Sequence, residues 1–324
     1  MTLRIGLIGA GRIGQVHARA VAASEKAELA AVHDPIDSNA EKVMASTGSA
    51  RREIDGIFSD QSIGAVLICS PTDMHAAQCE AAAAAGKAIF CEKPIDLDLV
   101  RAEACVAKAA SSGVQAMLGF NRRFDPHFLD LKRQLDDGKI GRPELVQITS
   151  RDPSPPPIDY VKRSGGLFRD MMIHDLDMAQ FLLGEPLSVV GVTADSLVDA
   201  DIAAVGDVDT AAVTLRAASG TIVVITNSRR ATYGYDQRIE VHGALGCLSA
   251  GNPAVNQTTL LTGAGALSPP LMDFFMDRYA AAYAAQIDAF IKLCLDHPVD
   301  VPGLVDGLSA LRLATECSEL AGLG

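Results

Sequence analysis

Three groups of residues in this chain have the types and spacing to do chemistry. The first is Gly9-Ala10-Gly11-Arg12-Ile13-Gly14, which follows the apolar run Leu3 to Ile8 and opens a helical pattern. In such a turn Gly9 permits the tight bend, Gly11 lets the backbone approach a pyrophosphate, and Gly14 lets the helix pack on the strand. The helix start at Arg12 and Ile13 offers N–H donors and the positive end of a dipole to phosphates. A tight turn alone would also use these glycines. The context favours a dinucleotide cradle: the turn joins the first strand to the first helix, and Asp34 ends the second strand 20 residues after Gly14. A carboxylate there accepts hydrogen bonds from the ribose hydroxyls of NAD and repels the extra phosphate of NADP. Pro35-Ile36-Asp37 supply no base to hold that phosphate.

The second group sits at later strand ends. Cys69-Ser70-Pro71-Thr72 closes a strand, and in open α/β sheets ligands lie beyond the carboxyl ends of strands, so Ser70, Pro71 and Thr72 are a candidate cofactor wall. His75 follows, as a cofactor contact or a helix-start side chain. Glu92-Lys93-Pro94 closes the next strand on the same edge. Pro94 keeps Lys93 out of the helical region and fixes its direction. Lys93 either reaches the nicotinamide end of the cleft or is a solvated surface lysine. The third group is Asp170, His174 and Asp177, at i, i+4 and i+7 in an expected helix from about Gly166 to Leu183. That spacing puts them on one face, where Asp170 could orient the imidazole, although a solvated helix face fits the same pattern. Asp175 and Asp177 read as structural or surface residues, and His17, His33, His127, His242 and His297 as structural.

The elements that position these groups follow from periodicity. To Phe120, buried strands alternate with helices, the pattern of a parallel, doubly wound sheet. The expected strands are Leu3–Ile8, Glu28–His33, Ile63–Cys69, Ala88–Cys91 and Gln115–Phe120. Then come a helix over His127–Asp137, the loop Pro153-Ser154-Pro155-Pro156-Pro157, and the helix that ends at Gly184. Val208–Ala217, Thr221–Ser228, Asp236–His242 and Cys247–Ser249 read as an antiparallel meander. Gly263 to Pro270 reads as a disordered small-residue loop, and Arg278–Asp296 and Val305–Ala321 as helices. The expected division is a dinucleotide-binding domain over residues 1–121 and a substrate and oligomerisation domain over 122–324, with the C-terminal helices free to pack back on the first.

Composition narrows the class. The chain has 324 residues, 48% of them hydrophobic, and a formal net charge of −12. That is globular composition, and the acidity disfavours nucleic acid or an anionic membrane as partner. There is no apolar run of transmembrane length and no signal-peptide layout at Met1–Gly6. Seven cysteines without paired spacing read as reduced thiols, which points to the cytoplasm, and no metal-binding spacing appears.

Glu92-Lys93-Pro94, together with the run from Gly165 through Asp170 and His174 to Asp175, resembles the glucose–fructose oxidoreductase / inositol dehydrogenase / rhizopine catabolism family. The resemblance spans nearly the whole chain, with the glycine turn, the triplet and the Asp/His helix in the family's order. Ser150-Arg151-Asp152-Pro153 and Tyr233-Gly234-Tyr235-Asp236 look like the bacterial inositol 2-dehydrogenases within it. The resemblance implies a two-domain NAD-dependent dehydrogenase with a Rossmann domain. Its second, α+β domain would hold a large, mostly antiparallel sheet whose open face makes oligomers, often tetramers. It implies catalytic roles for Lys93, Asp170 and His174, and substrate contacts at Asn121, Arg122, Asp152, Tyr233 and Tyr235. Glu92 would join the cofactor residues. Asn121 departs from some inositol dehydrogenases, which carry an apolar residue there, and so bears on the choice of polyol stereoisomer.

The expected reaction is oxidation of a secondary alcohol of a cyclic polyol, myo-inositol to 2-keto-myo-inositol, with His174 as general base. Other readings are another inositol isomer or an aldose as substrate, an NAD-dependent glycosidase, and a non-catalytic dinucleotide sensor. The glycosidase gives no net NADH. The sensor is disfavoured by the joint presence of Lys93, Asp170 and His174.

Overall fold

The computed structural model describes residues 2–323. Two compact units divide the chain: Met1–Phe124 with Ala282–Leu311, and Asp125–Ala281 with Arg312–Gly324.

The first unit is built on six parallel strands. They are β1 (Leu3–Ile8), β2 (Ala27–His33), β3 (Ala50–Arg51), β4 (Ala65–Ile68), β5 (Ala88–Cys91) and β6 (Ala116–Leu118), in the order β3-β2-β1-β4-β5-β6. Five helices cross between them: α1 (Arg12–Ala22), α2 (Asp37–Thr47), α3 (Ile54–Ser59), α4 (Thr72–Ala84) and α5 (Leu99–Ser112). Strands covered on both faces need side chains that are apolar on both. All four residues of β4 are fully buried for this reason. Strand order reverses between β1 and β4, the point where such sheets bind ligands. The strand β3 and helix α3 escaped the sequence reading, because two exposed residues and a single helical turn carry no period.

The second unit opens with α6 (Pro126–Asp136), β7 (Pro143–Arg151), α7 (Ile158–Ser164), α8 (Ile173–Leu183) and β8 (Leu187–Asp195). It continues through α9 (Ala200–Ala204), β9 (Thr210–Ala217), β10 (Ile222–Ser228), β11 (Asp236–Gly243) and β12 (Gly246–Ala250). Its six-stranded sheet has the order β12-β11-β7-β10-β9-β8. The expected meander is therefore corrected: β7 lies between β10 and β11, parallel to the first and antiparallel to the second. Each strand shows its alternation in sequence, but a partner from far upstream leaves no local signature. One face is apolar, with Val146, Ile148, Val213, Leu215, Val223, Ile225, Ile239 and Val241 buried. Asp175 of α8 joins that face, accepting from Ser150 Oγ at 2.5 Å and Asn227 Nδ2 at 2.8 Å. The opposite face carries Gln147, Ala212, Arg238 and Glu240, all exposed.

The loop expected near Gly263 instead holds part of a hairpin, β13 (Leu260–Thr262) with β14 (Gly265–Leu267). Gly263-Ala264 make its two-residue turn. After α10 (Phe275–Arg278) come α11 (Ala280–Cys294) and α12 (Leu304–Leu320). In the first unit, Phe290 of α11 meets Phe90 edge-on at 5.6 Å, and Leu118 N donates to Pro302 O at 2.8 Å. Among the described residues no helix is long and apolar enough to cross a membrane.

A buried ion pair anchors the second unit. Arg278 Nη1 donates to Asp125 Oδ2 at 2.5 Å, with side-chain exposures of 2% and 1%. The guanidinium carbon lies 4.7 Å from the Tyr279 ring centroid and 5.5 Å from that of Phe128. Asp125 also caps α6, accepting from His127 N and Phe128 N. Removing one member strands a buried charge, a loss of about 3–5 kcal/mol. Arg278→Met should therefore lower the unfolding free energy by that order in urea denaturation followed by circular dichroism; a change under about 1 kcal/mol would show that the pair is not a stabilising anchor.

Candidate active site

In the first unit the three glycines have separate tasks. Gly9 has φ +94°, and a Cβ there would lie 2.5 Å from the Cys69 carbonyl carbon. A Cβ on Gly14 would collide with the Gly9 carbonyl oxygen. At Gly11 the space a Cβ would take has no atom within 4 Å. That opening lets a pyrophosphate approach the backbone. Gly11 caps α1 without a side chain, and no acidic residue stands in the first turn, so the helix N–H groups meet no competing carboxylate there. Arg12 is exposed and Ile13 half-buried at the same turn.

Asp34 is 5% exposed and ties this loop to the end of β2. Its Oδ2 accepts from Ala10 N at 2.7 Å, and its Oδ1 from Ile36 N at 2.8 Å and Asn39 Nδ2 at 3.4 Å. A carboxylate has about four acceptor positions, so the same group can still take a ribose hydroxyl. These residues fit a dinucleotide.

The remaining strand ends lie on the same edge. Ser70 Oγ donates to Gln78 Oε1 at 2.7 Å, Pro71 is exposed, and Thr72 begins α4. His75 is 2% exposed, with Nδ1 2.7 Å from the Pro94 carbonyl oxygen and Nε2 2.8 Å from that of Ser70. Glu92 and Lys93 are half-buried beyond β5, and Lys93–Pro94 is a cis peptide. Asn121 and Arg122 are buried in a short 3-10 turn after β6.

The second unit corrects the expected straight helix. Phe168–Met172 form a π-helical turn, and the α-helix proper starts at Ile173. Asp170 and His174 are half-buried, whereas Asp177 is 1% exposed. A π turn inserts a residue without altering composition, so a single helical period does not anticipate it. Such turns are frequent at functional sites.

Around Asp170 stand groups the sequence did not single out. Tyr160 donates to Asp170 Oδ1 at 2.8 Å, and Arg229 Nη1 lies 3.5 Å from Oδ2. Arg229 is 1% exposed, with Nη2 3.9 Å from Asp207 Oδ2. Tyr160 is 47% exposed; desolvation at its hydroxyl end and the Asp170 carboxylate raise the phenol's pKa, so it remains a donor at neutral pH. Asp152 is half-buried just past β7, its N–H donating to Ser228 O at 3.0 Å. The one available signal was position: Arg229 follows the last residue of β10.

Tyr233 and Tyr235 differ in setting. Tyr233 is exposed; its hydroxyl donates to Asp236 Oδ2 at 2.7 Å and accepts from Arg151 Nη1 at 2.7 Å. Burial alone would raise the Asp236 carboxyl, but hydrogen bonds from Arg238, Tyr233 and Asn252 hold it below the usual range. Tyr235 is buried edge-on to Tyr279, centroids 6.1 Å apart.

The parallel sheet, this glycine turn and Asp34 define a dinucleotide-binding Rossmann domain. Residues 3–120 match the family model of the oxidoreductase family with NAD-binding Rossmann fold, and residues 128–249 match the GFO/IDH/MocA C-terminal domain. The chain belongs to this GFO/IDH/MocA family, and it is an NAD-dependent oxidoreductase acting on CH–OH groups. It is 53% identical over 314 residues to an inositol 2-dehydrogenase of Rhizobium meliloti (strain 1021), covering 97% of this chain and 95% of that one. A crystal structure of a myo-inositol dehydrogenase from Corynebacterium glutamicum superposes with a TM-score of 0.95 at 40% identity, covering 99% of this chain and 97% of that one. A scyllo-inositol dehydrogenase from Lactobacillus casei, solved with NAD(H) and scyllo-inositol, gives a TM-score of 0.90 at 30% identity, covering 99% and 97%.

The setting of Asp34 yields a cofactor prediction. With no base at 35–37, kcat/KM should be much higher with NAD than with NADP. Asp34→Ser with Pro35→Arg should move the preference toward NADP. Equal kcat/KM for the two cofactors in the unaltered protein would contradict it.

Proposed function

We propose that this protein oxidises a secondary hydroxyl of a cyclic polyol, myo-inositol to 2-keto-myo-inositol, in the cytoplasm. The observation that carries this reading is 53% identity, across 97% of the chain, to an inositol 2-dehydrogenase. The chemistry of the residues supports it. An alcohol is a very weak acid, so its proton must leave as the carbon–hydrogen bond breaks. His174 takes that proton, because an imidazole titrates near neutral pH. Lys93, as ammonium, donates a hydrogen bond to the reacting oxygen and offsets its growing negative charge. NAD, when bound, supplies the hydride acceptor. Gly11 and the first turn of α1 hold its phosphates, Asp34 its ribose, and the Ser70–Thr72 turn and Glu92 its nicotinamide end. Asp170, with Tyr160 and Arg229 on its two oxygens, holds a substrate hydroxyl or the imidazole. Asn121, Arg122, Asp152, Tyr233 and Tyr235 are the further polyol contacts.

We also propose a homotetramer that uses the open face of the second unit's sheet. Half-buried Val224 and exposed Ala212 and Ile222 stand on that face among polar residues, and a broad, partly apolar sheet face favours a cover. Light scattering at micromolar concentration should give an oligomer; a monomer would contradict this.

NADH absorbance against a panel of inositols and aldoses tests the substrate, with myo-inositol expected among the best. His174→Ala should lower kcat by about 10²–10⁴-fold, with NAD affinity nearly unchanged. Retention of more than about half the original kcat would end the general-base assignment. Asp170→Asn separates the two roles of Asp170. Support of the base predicts that the acid limb of the pH–rate profile moves lower, because the imidazole loses a neighbouring charge. Contact with substrate alone predicts a raised KM and an unmoved profile.

A further inference from the structure

Each chain neighbour of Lys93 is bonded to a buried histidine. Its predecessor Glu92 places Oε1 2.7 Å from His17 Nε2, and its successor Pro94 places its carbonyl oxygen 2.7 Å from His75 Nδ1. His17 comes from α1 and His75 from α4, so two different helices reach the two ends of one tripeptide. Both rings are closed off from solvent, at 0% and 2% exposure. We propose that His17 and His75 are positioning residues that fix the direction of Lys93, the donor to the reacting oxygen in the reading above, on which this proposal rests.

The geometry leaves Glu92 little freedom. His17 is wedged edge-on between Phe90, at 4.9 Å between centroids, and Tyr283, at 5.8 Å. On the other side a Cβ at position 119 would lie 2.8 Å from Glu92 Oε2, so Gly119 makes the room the carboxylate occupies. A carboxylate only accepts when ionised, so Nε2 of His17 carries the proton of that bond. A backbone carbonyl also only accepts, so the Nδ1–H tautomer of His75 holds Pro94, and the ring carrying both protons holds Ser70 as well. Ser70 O lies 2.8 Å from Nε2, which links the end of β4 to the Glu-Lys-Pro turn through one imidazole. With both neighbours held by short bonds to packed rings, Lys93 has a defined origin and direction. A misplacement of about 1 Å at a reacting group can cost about 100-fold in rate.

An amide side chain can imitate one ring nitrogen at a time: Asn the position of Nδ1, Gln that of Nε2. His75→Asn keeps the bond to Pro94 and loses the one to Ser70, and His75→Gln does the reverse. His17→Gln keeps the bond to Glu92, and His17→Leu removes it. The first readout needs no substrate. Lysines of the apoprotein are reductively methylated with ¹³C-formaldehyde, and the Lys93 resonance is identified by its loss in Lys93→Arg. The expected result is a Lys93 resonance near its original position in His75→Asn and His17→Gln, shifted toward the exposed lysines in His75→Gln and His17→Leu. The second readout is kcat beside NAD affinity. His75→Gln should lower kcat by about tenfold or more with NAD affinity little changed, and His75→Asn should recover most of that loss. Equal behaviour of the two His75 amides, or an unmoved Lys93 resonance in both His75→Gln and His17→Leu, would overturn the proposal. Should His17→Leu not fold, the His75 pair decides. Lack of turnover by the unaltered protein with every polyol would count against the proposed reaction, while the Lys93 resonance would still decide this inference.

Discussion

Parallel strands in one sheet all end on the same edge, and what this chain offers a cofactor depends on that constraint. The turn after β1 presents the glycines, that after β2 presents Asp34, that after β4 presents Ser70, and that after β5 presents Glu92 and Lys93. None of these residues is near the others in sequence. The sheet brings them to one edge because its strands are buried on both faces and cannot slip without exposing apolar side chains. Short bonds between the turns then complete the edge. Ala10 N donates to Asp34, and His75 spans Ser70 and Pro94.

The second unit solves a different problem, that of keeping charge inside a mixed sheet and its helices. Asp170 faces Tyr160 and Arg229, Arg229 also faces Asp207, and Asp125 faces Arg278. Asp209 accepts from three successive backbone N–H groups, Leu197 to Asp199. Burial raises its carboxyl, but these bonds hold it below the usual range. Buried charges of this kind are expensive unless met by opposite charge or donors. Arg229 and Arg278 meet carboxylates from distant segments, so these charges also tie the unit together.

The first unit was legible in the sequence because its signals are local. A buried run of four or more residues shows a strand, and Gly9 to Gly14 followed by Asp34 shows the cradle. Lys93 could be placed at a strand end for the same reason. The second unit was less legible. Its strands showed their alternation, but the insertion of β7 between β10 and β11 is a long-range choice that alternation does not record. The π turn at Phe168–Met172 departs from a single helical period and leaves no mark in the residue types. Tyr160 and Arg229 were invisible because a tyrosine on a short helix and an arginine after a strand have no pattern until the fold brings them to Asp170. His17 reads in sequence as a structural histidine and His75 as a cofactor contact or a helix-start side chain; only their distances to Glu92 and Pro94 single them out.

In the proposed reaction a carbon-bound hydrogen of a polyol passes to NAD. Myo-inositol carrying deuterium at carbon 2, incubated with the protein and NAD, tests it directly by mass spectrometry of the reduced cofactor. The expected result is one deuterium in the nicotinamide of the NADH formed and an unlabelled ketone at carbon 2. NADH without deuterium, or a product that retains the label on the ring, would contradict it.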